Sequence, residues 1–355
     1  MVFTNRMFMF LAAAALVSSP QSVAAQSYAV VDLGVSNGIA RGINDPGDVV
    51  GVGSFGSANR GFVWSDGGAM PLPDLSSCSP SLPCSDARAI NPARSIAGIA
   101  QIAQTGCNSL HAVAWYDASS APTDLGTLTG LCSTFSAALG INSAGDIVGE
   151  SGVAIGCGSH ATLWPNDGTG PVDLGLLQAS GCFSQARAIS ASGDVVGFSE
   201  ITPGFNRGFL WQRGRMTALL PLNGGLASEA IGINGRGDVV GASQVPGDVR
   251  AVVWRRGSTA AVDLAVGGIA GTSFLYANAI NDRGDIVGQM QVGGESHAFI
   301  VPQRGTLQDL NSLIGPSDQD WVIQIALGIN NRGEIVGFGH PIGQLESRAV
   351  LLVPR

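Results

Sequence analysis

Seven near-copies of one ten-residue string run down the chain: GINDPGDVVG, AINPARSIAG, GINSAGDIVG, AISASGDVVG, GINGRGDVVG, AINDRGDIVG and GINNRGEIVG. Their third residues, Asn44, Asn91, Asn142, Ser190, Asn234, Asn281 and Asn330, stand 47, 51, 48, 44, 47 and 49 positions apart. A period of this length restricts the chain to repeat architectures, in which no unit buries its apolar face alone and each packs on the next.

Each copy holds four short segments with strand character. The first ends in Ile followed by the Asn or Ser anchor, with Ala40, Ala87, Ala138, Ala186, Ala230, Ala277 and Ala326 four positions before it. Asn-x-x-Gly followed by Asp or Glu then makes a tight turn in five copies, because Asn accepts local backbone hydrogen bonds and Gly supplies positive φ. The second segment is Val-Val-Gly or a close variant. The third opens on a basic residue: Arg60, His111, His160, Arg207, Arg250, His297 or Arg348. The fourth is centred on Asp-Leu, at Asp32, Asp74, Asp124, Asp173, Asp263 and Asp309, with Leu220 taken as the replacement in the remaining copy.

Four antiparallel strands in about 47 residues is the period of a propeller blade. The last copy has a third strand at Arg348 to Leu352 and no fourth, while an unmatched Asp-Leu strand stands at Tyr28 to Gly34. The expected fold is therefore all-β: a seven-bladed β-propeller of four-stranded blades, the last blade closed by the N-terminal strand so that no sheet edge is left open.

Composition narrows the function classes. With 45% hydrophobic residues the chain is too apolar for disorder, and a net charge of −8 argues against a nucleic-acid binder. Every basic residue other than His is Arg, so neither a P-loop nor a lysine Schiff base is available. Residues 1–25, with Arg6 before an apolar run and Val23-Ala24-Ala25 at its end, read as a signal peptide; 26–355 is then one secreted or periplasmic domain. The apolar run is too short to span a bilayer, so no membrane insertion is expected after cleavage.

The G/A-I-N-x-x-G-x-V-V-G unit, the HAF-like third segment spelled out at His297-Ala298-Phe299 and the Asp-Leu-Gly segment together resemble the probable extracellular HAF-repeat family of bacteria over roughly residues 28 to 354. The resemblance implies an exported repeat protein and names no activity.

Connection lengths separate the two faces of the ring. Anchor to second-strand Gly is seven residues in every copy, whereas the second-to-third and fourth-to-first connections vary. Those two variable sets emerge on one face, where a rigid scaffold would present a binding surface to a polysaccharide or protein. All six cysteines fall in them, and repeat position favours the pairs Cys78–Cys84, Cys107–Cys132 and Cys157–Cys182 among the 15 connectivities possible. Metal ligation fits these cysteines poorly, since no CxxC is present. No metal or cofactor is expected.

The seven basic residues that open the third strands could form an anion-attracting ring, although recurrence in every blade favours a structural role. Trp64, Trp115, Trp164, Trp211 and Trp254 recur at one position, as packing between blades requires. Trp321 stands outside the repeat and is a candidate for stacking on a sugar or partner. Asp318, Asp320 and His340 are the weak candidates for acid/base chemistry; the repeats otherwise offer no nucleophile elbow or zinc signature. A catalytic site should break the repeat symmetry, and here the symmetry is intact. These features favour a monomeric binding or scaffold module for a glycan, cell-surface component or protein over the alternative, a secreted glycan hydrolase or lyase.

Overall fold

The computed structural model describes residues 26–75, 84–104, 107–153, 158–266 and 268–355, without the side chains of 103–108. The leader, Cys78, the Cys107 side chain and Cys157 lie outside this set. The described residues form seven four-stranded antiparallel sheets, arranged as the blades of a closed propeller, with two short 3-10 turns at Leu310–Leu313 and Pro316–Asp318.

The first strand of each blade faces the ring axis: Ile39–Ile43, Ser85–Ile90, Ser136–Ile141, Ser184–Ile189, Ala227–Ile233, Thr272–Ile280 and Trp321–Ile329. Each of these strands touches its counterparts in the two neighbouring blades. In six blades the following three strands step outward in chain order. In the seventh the outermost place is taken by Tyr28–Ser36, which pairs with Arg348–Pro354 in the register Tyr28↔Pro354 and Asp32↔Val350. The ring closes as its sequence requires, and a C-terminal blade thereby gains the edge strand it lacks.

Seven apolar clusters fill the seven spaces between successive blades. Val50, Val63 and Leu72 of the first blade pack with Ala87, Ile96, Val113 and Trp115 of the second, and the pattern recurs around the ring to Phe62 and Ala349 across the chain ends. Trp115 and Trp254 are fully buried, each reaching back to the preceding blade, where the indole N–H donates to Pro73 O at 2.9 Å and Leu220 O at 2.8 Å. At these two positions the tryptophan supplies both apolar area and a hydrogen bond across a blade interface, whereas the Trp164 indole N–H is buried without a hydrogen-bond partner among the described residues.

The anchor asparagines make a second circular connection. Asn44 donates its side-chain amide to Asn91 O, Asn91 to Asn142 O and Asn142 to Ser190 O; Asn234 donates to Asn281 O, Asn281 to Asn330 O, and Asn330 to Asn44 O, all at 3.1–3.4 Å. Each Asn Oδ1 accepts the amide four residues on at 2.8–3.0 Å, which holds the hairpin turn. The acidic residue after the turn Gly joins this network: Asp48, Asp146, Asp285 and Glu334 accept from the anchor amide, and Asp48 also accepts from the Ser65 hydroxyl in the neighbouring hairpin. Ser190, with no amide to donate, is the one break in the circle.

Candidate functional site at the ring axis

Every inner strand carries a β-bulge at the same place. The register slips between Ala40 and Gly42, Ala87 and Ala89, Ala138 and Gly140, Ala186 and Ala188, Ala230 and Gly232, Ala277 and Ala279, and Ala326 and Gly328. The slip drives the carbonyl before the small residue toward the second strand. A Cβ on Gly51 would lie 2.0 Å from Ile39 O, and one on Gly149 only 1.8 Å from Ala137 O, so the invariant second-strand Gly is the space the bulge needs.

The bulged residue itself is left unpaired and aimed at the axis. These seven residues are Arg41, Arg88, Leu139, Arg187, Ile231, Asn278 and Leu327, and all seven line one cavity of about 330 Å³, together with Glu229 and Tyr276 from the level above. This is where the symmetry breaks. Flanked by small residues that never change character, the axial positions carry three arginines, an amide and three aliphatic side chains.

The arginines differ in how they are used. Asp86 receives Arg41 Nε at 2.8 Å and an Arg88 terminal nitrogen at 2.8 Å, so two cations share one buried carboxylate. Arg187 forms no ion pair among the described residues; its guanidinium lies 5.3 Å from the centroid of Phe198, and its Nε is buried without a hydrogen-bond partner. Burial lowers the affinity of Arg187 for its proton, opposed by the more distant charges of Glu229 and Glu150. Glu229 accepts from Asn206 Nδ2 at 2.9 Å, and Glu150 accepts from the Ser159 hydroxyl and the Gln185 amide. Asn278 spends one amide hydrogen on Ala326 O at 2.9 Å. Tyr276 has its hydroxyl pushed up by burial and then by Glu229, which keeps it a donor as well as an acceptor.

The third-strand basic residues are clips within their own blades. Arg60 meets Asp74 at 2.9 Å, His111 meets Asp124 at 3.0 Å, His160 meets Asp173 at 2.9 Å, Arg250 meets Asp263 at 3.1 Å, His297 meets Asp309 at 2.6 Å and Arg348 meets Asp32 at 3.5 Å. Among the described residues Arg207 has no carboxylate partner, and it donates to Leu226 O at 3.3 Å. The position that the sequence assigned to Leu220 belongs to Ala218, which stands opposite Phe209 as Asp124 stands opposite Val113. The two-residue turn Arg213-Gly214, with positive φ at both residues, shortens this hairpin and moves the register.

The remaining candidates do not gather. Trp321 is the first residue of an inner strand, half-buried against the cluster of Tyr28, Leu310 and Ile323. Asp318 binds Arg355 at 2.7 Å and accepts from the Val30 amide at 3.3 Å, so it fastens the closing strand. His340 lies on the second strand of the last blade with Nδ1 at 3.0 Å from Pro341 O, and no hydrogen bond joins it to Asp318 or the exposed Asp320. Among the described residues no group of three His, Cys, Asp or Glu side chains is placed to hold a metal. Of the six cysteines, Cys84, Cys132 and Cys182 have side chains among the described residues, so the expected pairs fall partly outside them.

No family model matches the chain. No curated protein sequence matches it either. Among solved structures it is similar to a puromycin-hydrolysing peptidase of Mycobacterium tuberculosis, with a TM-score of 0.58 and 13% identity over 90% of this chain and 51% of that one. The chain thus spans about half the length of the peptidase. Weaker likenesses are to a gluconolactonase of Xanthomonas campestris, with a TM-score of 0.45, 10% identity and coverage of 94% and 93%, and to TolB of Acinetobacter baumannii, with a TM-score of 0.41, 12% identity and coverage of 74% and 65%. At these identities the likeness is one of fold: this chain is a seven-bladed β-propeller.

Proposed function

We propose that the chain is an exported binding module of the HAF-repeat type, and that its ligand, a glycan fragment or cell-surface component, is taken at the ring axis. The supporting observation is the segregation of its chemistry: the repeat holds its anchor, turn, second-strand Gly and third-strand basic positions nearly constant and varies the side chains at the seven axial bulges. Function sits on variable positions carried by a rigid scaffold, and a cavity of about 330 Å³ is of ligand size. Binding is favoured over glycan hydrolysis because the cavity is lined by a single carboxylate, Glu229, which already accepts from Asn206, while the nearby Asp86 is held between two arginines. In this reading Cys78–Cys84, Cys107–Cys132 and Cys157–Cys182 brace the variable loops outside the cytoplasm.

The test is thermal unfolding of residues 26–355 with neutral and acidic saccharides, beside the variant Ile231→Trp, which fills the cavity. A ligand at about 100 times its Kd adds about 2.7 kcal/mol of stability. The expected result is stabilisation of the wild type by at least one saccharide and none of the folded variant. Equal stabilisation of both would place binding elsewhere.

A further inference from the structure

We propose that the axial cavity receives a small hydroxylated monocarboxylate, a sugar acid, with its carboxylate on the Arg187 guanidinium. This rests on the axial binding reading and goes on to name the ligand class. The wall carries Arg41, Arg88, Arg187 and Glu229, and Asp86, which pairs with Arg41 and Arg88 without itself lining the cavity, brings the balance to one positive charge in excess. Arg41 and Arg88 are occupied by Asp86, whereas Arg187 has an aromatic face beneath it and no carboxylate partner among the described residues. Arg187 is half-buried and has no anion of its own among the described residues, and its planar fork matches two carboxylate oxygens. A phosphate, carrying nearly two charges, would bring its second charge against Asp86 and Glu229.

The rest of the wall selects for hydroxyl groups. Tyr276 offers a hydroxyl, Asn278 keeps its carbonyl oxygen, and Glu229 keeps the oxygen that Asn206 does not use. Leu139, Ile231 and Leu327 supply the aliphatic stretches of the same ring, suited to the C–H face of a pyranose. A cavity of about 330 Å³ has room for a monosaccharide-sized molecule, at the lower end of ligand sites.

The experiment is calorimetric titration of residues 26–355 with D-glucuronate, D-glucose and inorganic phosphate, repeated on Arg187→Gln and Ile231→Trp. Glucuronate should bind at least about tenfold more tightly than glucose or phosphate, as expected when a charge-assisted pair is lost. Arg187→Gln should abolish that preference while the unliganded protein melts no lower than wild type, because the substitution removes a half-buried charge that has no ion-pair partner among the described residues. A merely structural Arg187 would instead lower the melting temperature. Glucuronate binding that survives Arg187→Gln, or phosphate binding more tightly than glucuronate, overturns the assignment. Glucose binding as well as glucuronate, with both lost in Ile231→Trp, keeps the axial site and removes the carboxylate. No probe whose binding responds to Ile231→Trp removes both.

Discussion

Arg207 shows what one residue decides. Six of the seven third-strand basic residues have an aspartate in their own blade; at the equivalent place Arg207 has Ala218, opposite Phe209, and burial lowers its affinity for the proton. Ala218→Asp should therefore stabilise the protein, by no more than about 1 kcal/mol because the pair remains partly exposed, measurable as a higher urea midpoint. His111 makes the opposite case. Burial alone would depress its pKa, but Asp124 on Nδ1 and Cys132 O on Nε2 outweigh it and raise the value. Both ring nitrogens face acceptors, so the imidazolium satisfies both. A raised folded pKa gives stability that is complete below the unfolded value near 6.5 and is lost as pH rises through the folded value. The stability difference between wild type and His111→Gln should thus be larger at about pH 6 than at about pH 9; an unchanged difference would mean that the proton on His111 contributes nothing.

At the scale of the element, the inner strand and its hairpin are the unit on which the ring is built. Asn serves three purposes at the anchor: Oδ1 holds the turn amide, one amide hydrogen meets the acidic residue after Gly, and the other crosses to the next blade. Ser190 does only the first, accepting Asp194 N at 3.1 Å. Ser190→Asn should complete the circle and add about 1 kcal/mol, one hydrogen bond's net contribution, seen as a raised melting temperature; a loss of stability would show that blades four and five are spaced too differently to bridge. This element also explains what was legible in the sequence. Anchor, turn Gly, basic residue and Asp recur, and recurrence located the strands and the blade interfaces. The bulge was hidden because its marker, the second-strand Gly, reads equally well as a plain turn or strand residue. The axial side chains were missed for the converse reason: Arg41, Leu139 and Asn278 share no chemistry, so a comparison of repeats discards them. The available signal was a large, changeable residue held between Ala and a Gly or Ala in all seven copies. Ala218 was missed because a two-residue hairpin shifts the register in a way that spacing alone does not reveal.

For the whole molecule, packing, amide circle and closing strand make a rigid ring, and rigidity is what lets seven unlike side chains converge on one axis. The outer clips and tryptophans brace that ring, and the axial cavity that Arg187 lines gathers the side chains in which the seven bulges differ. A crystal structure of residues 26–355 grown in the presence of D-glucuronate tests this most directly. The account predicts the sugar acid on the ring axis, with its carboxylate within hydrogen-bonding distance of Arg187 and its ring against Leu139, Ile231 or Leu327. An empty axis with the sugar acid bound in the variable loops or on an outer clip would contradict it.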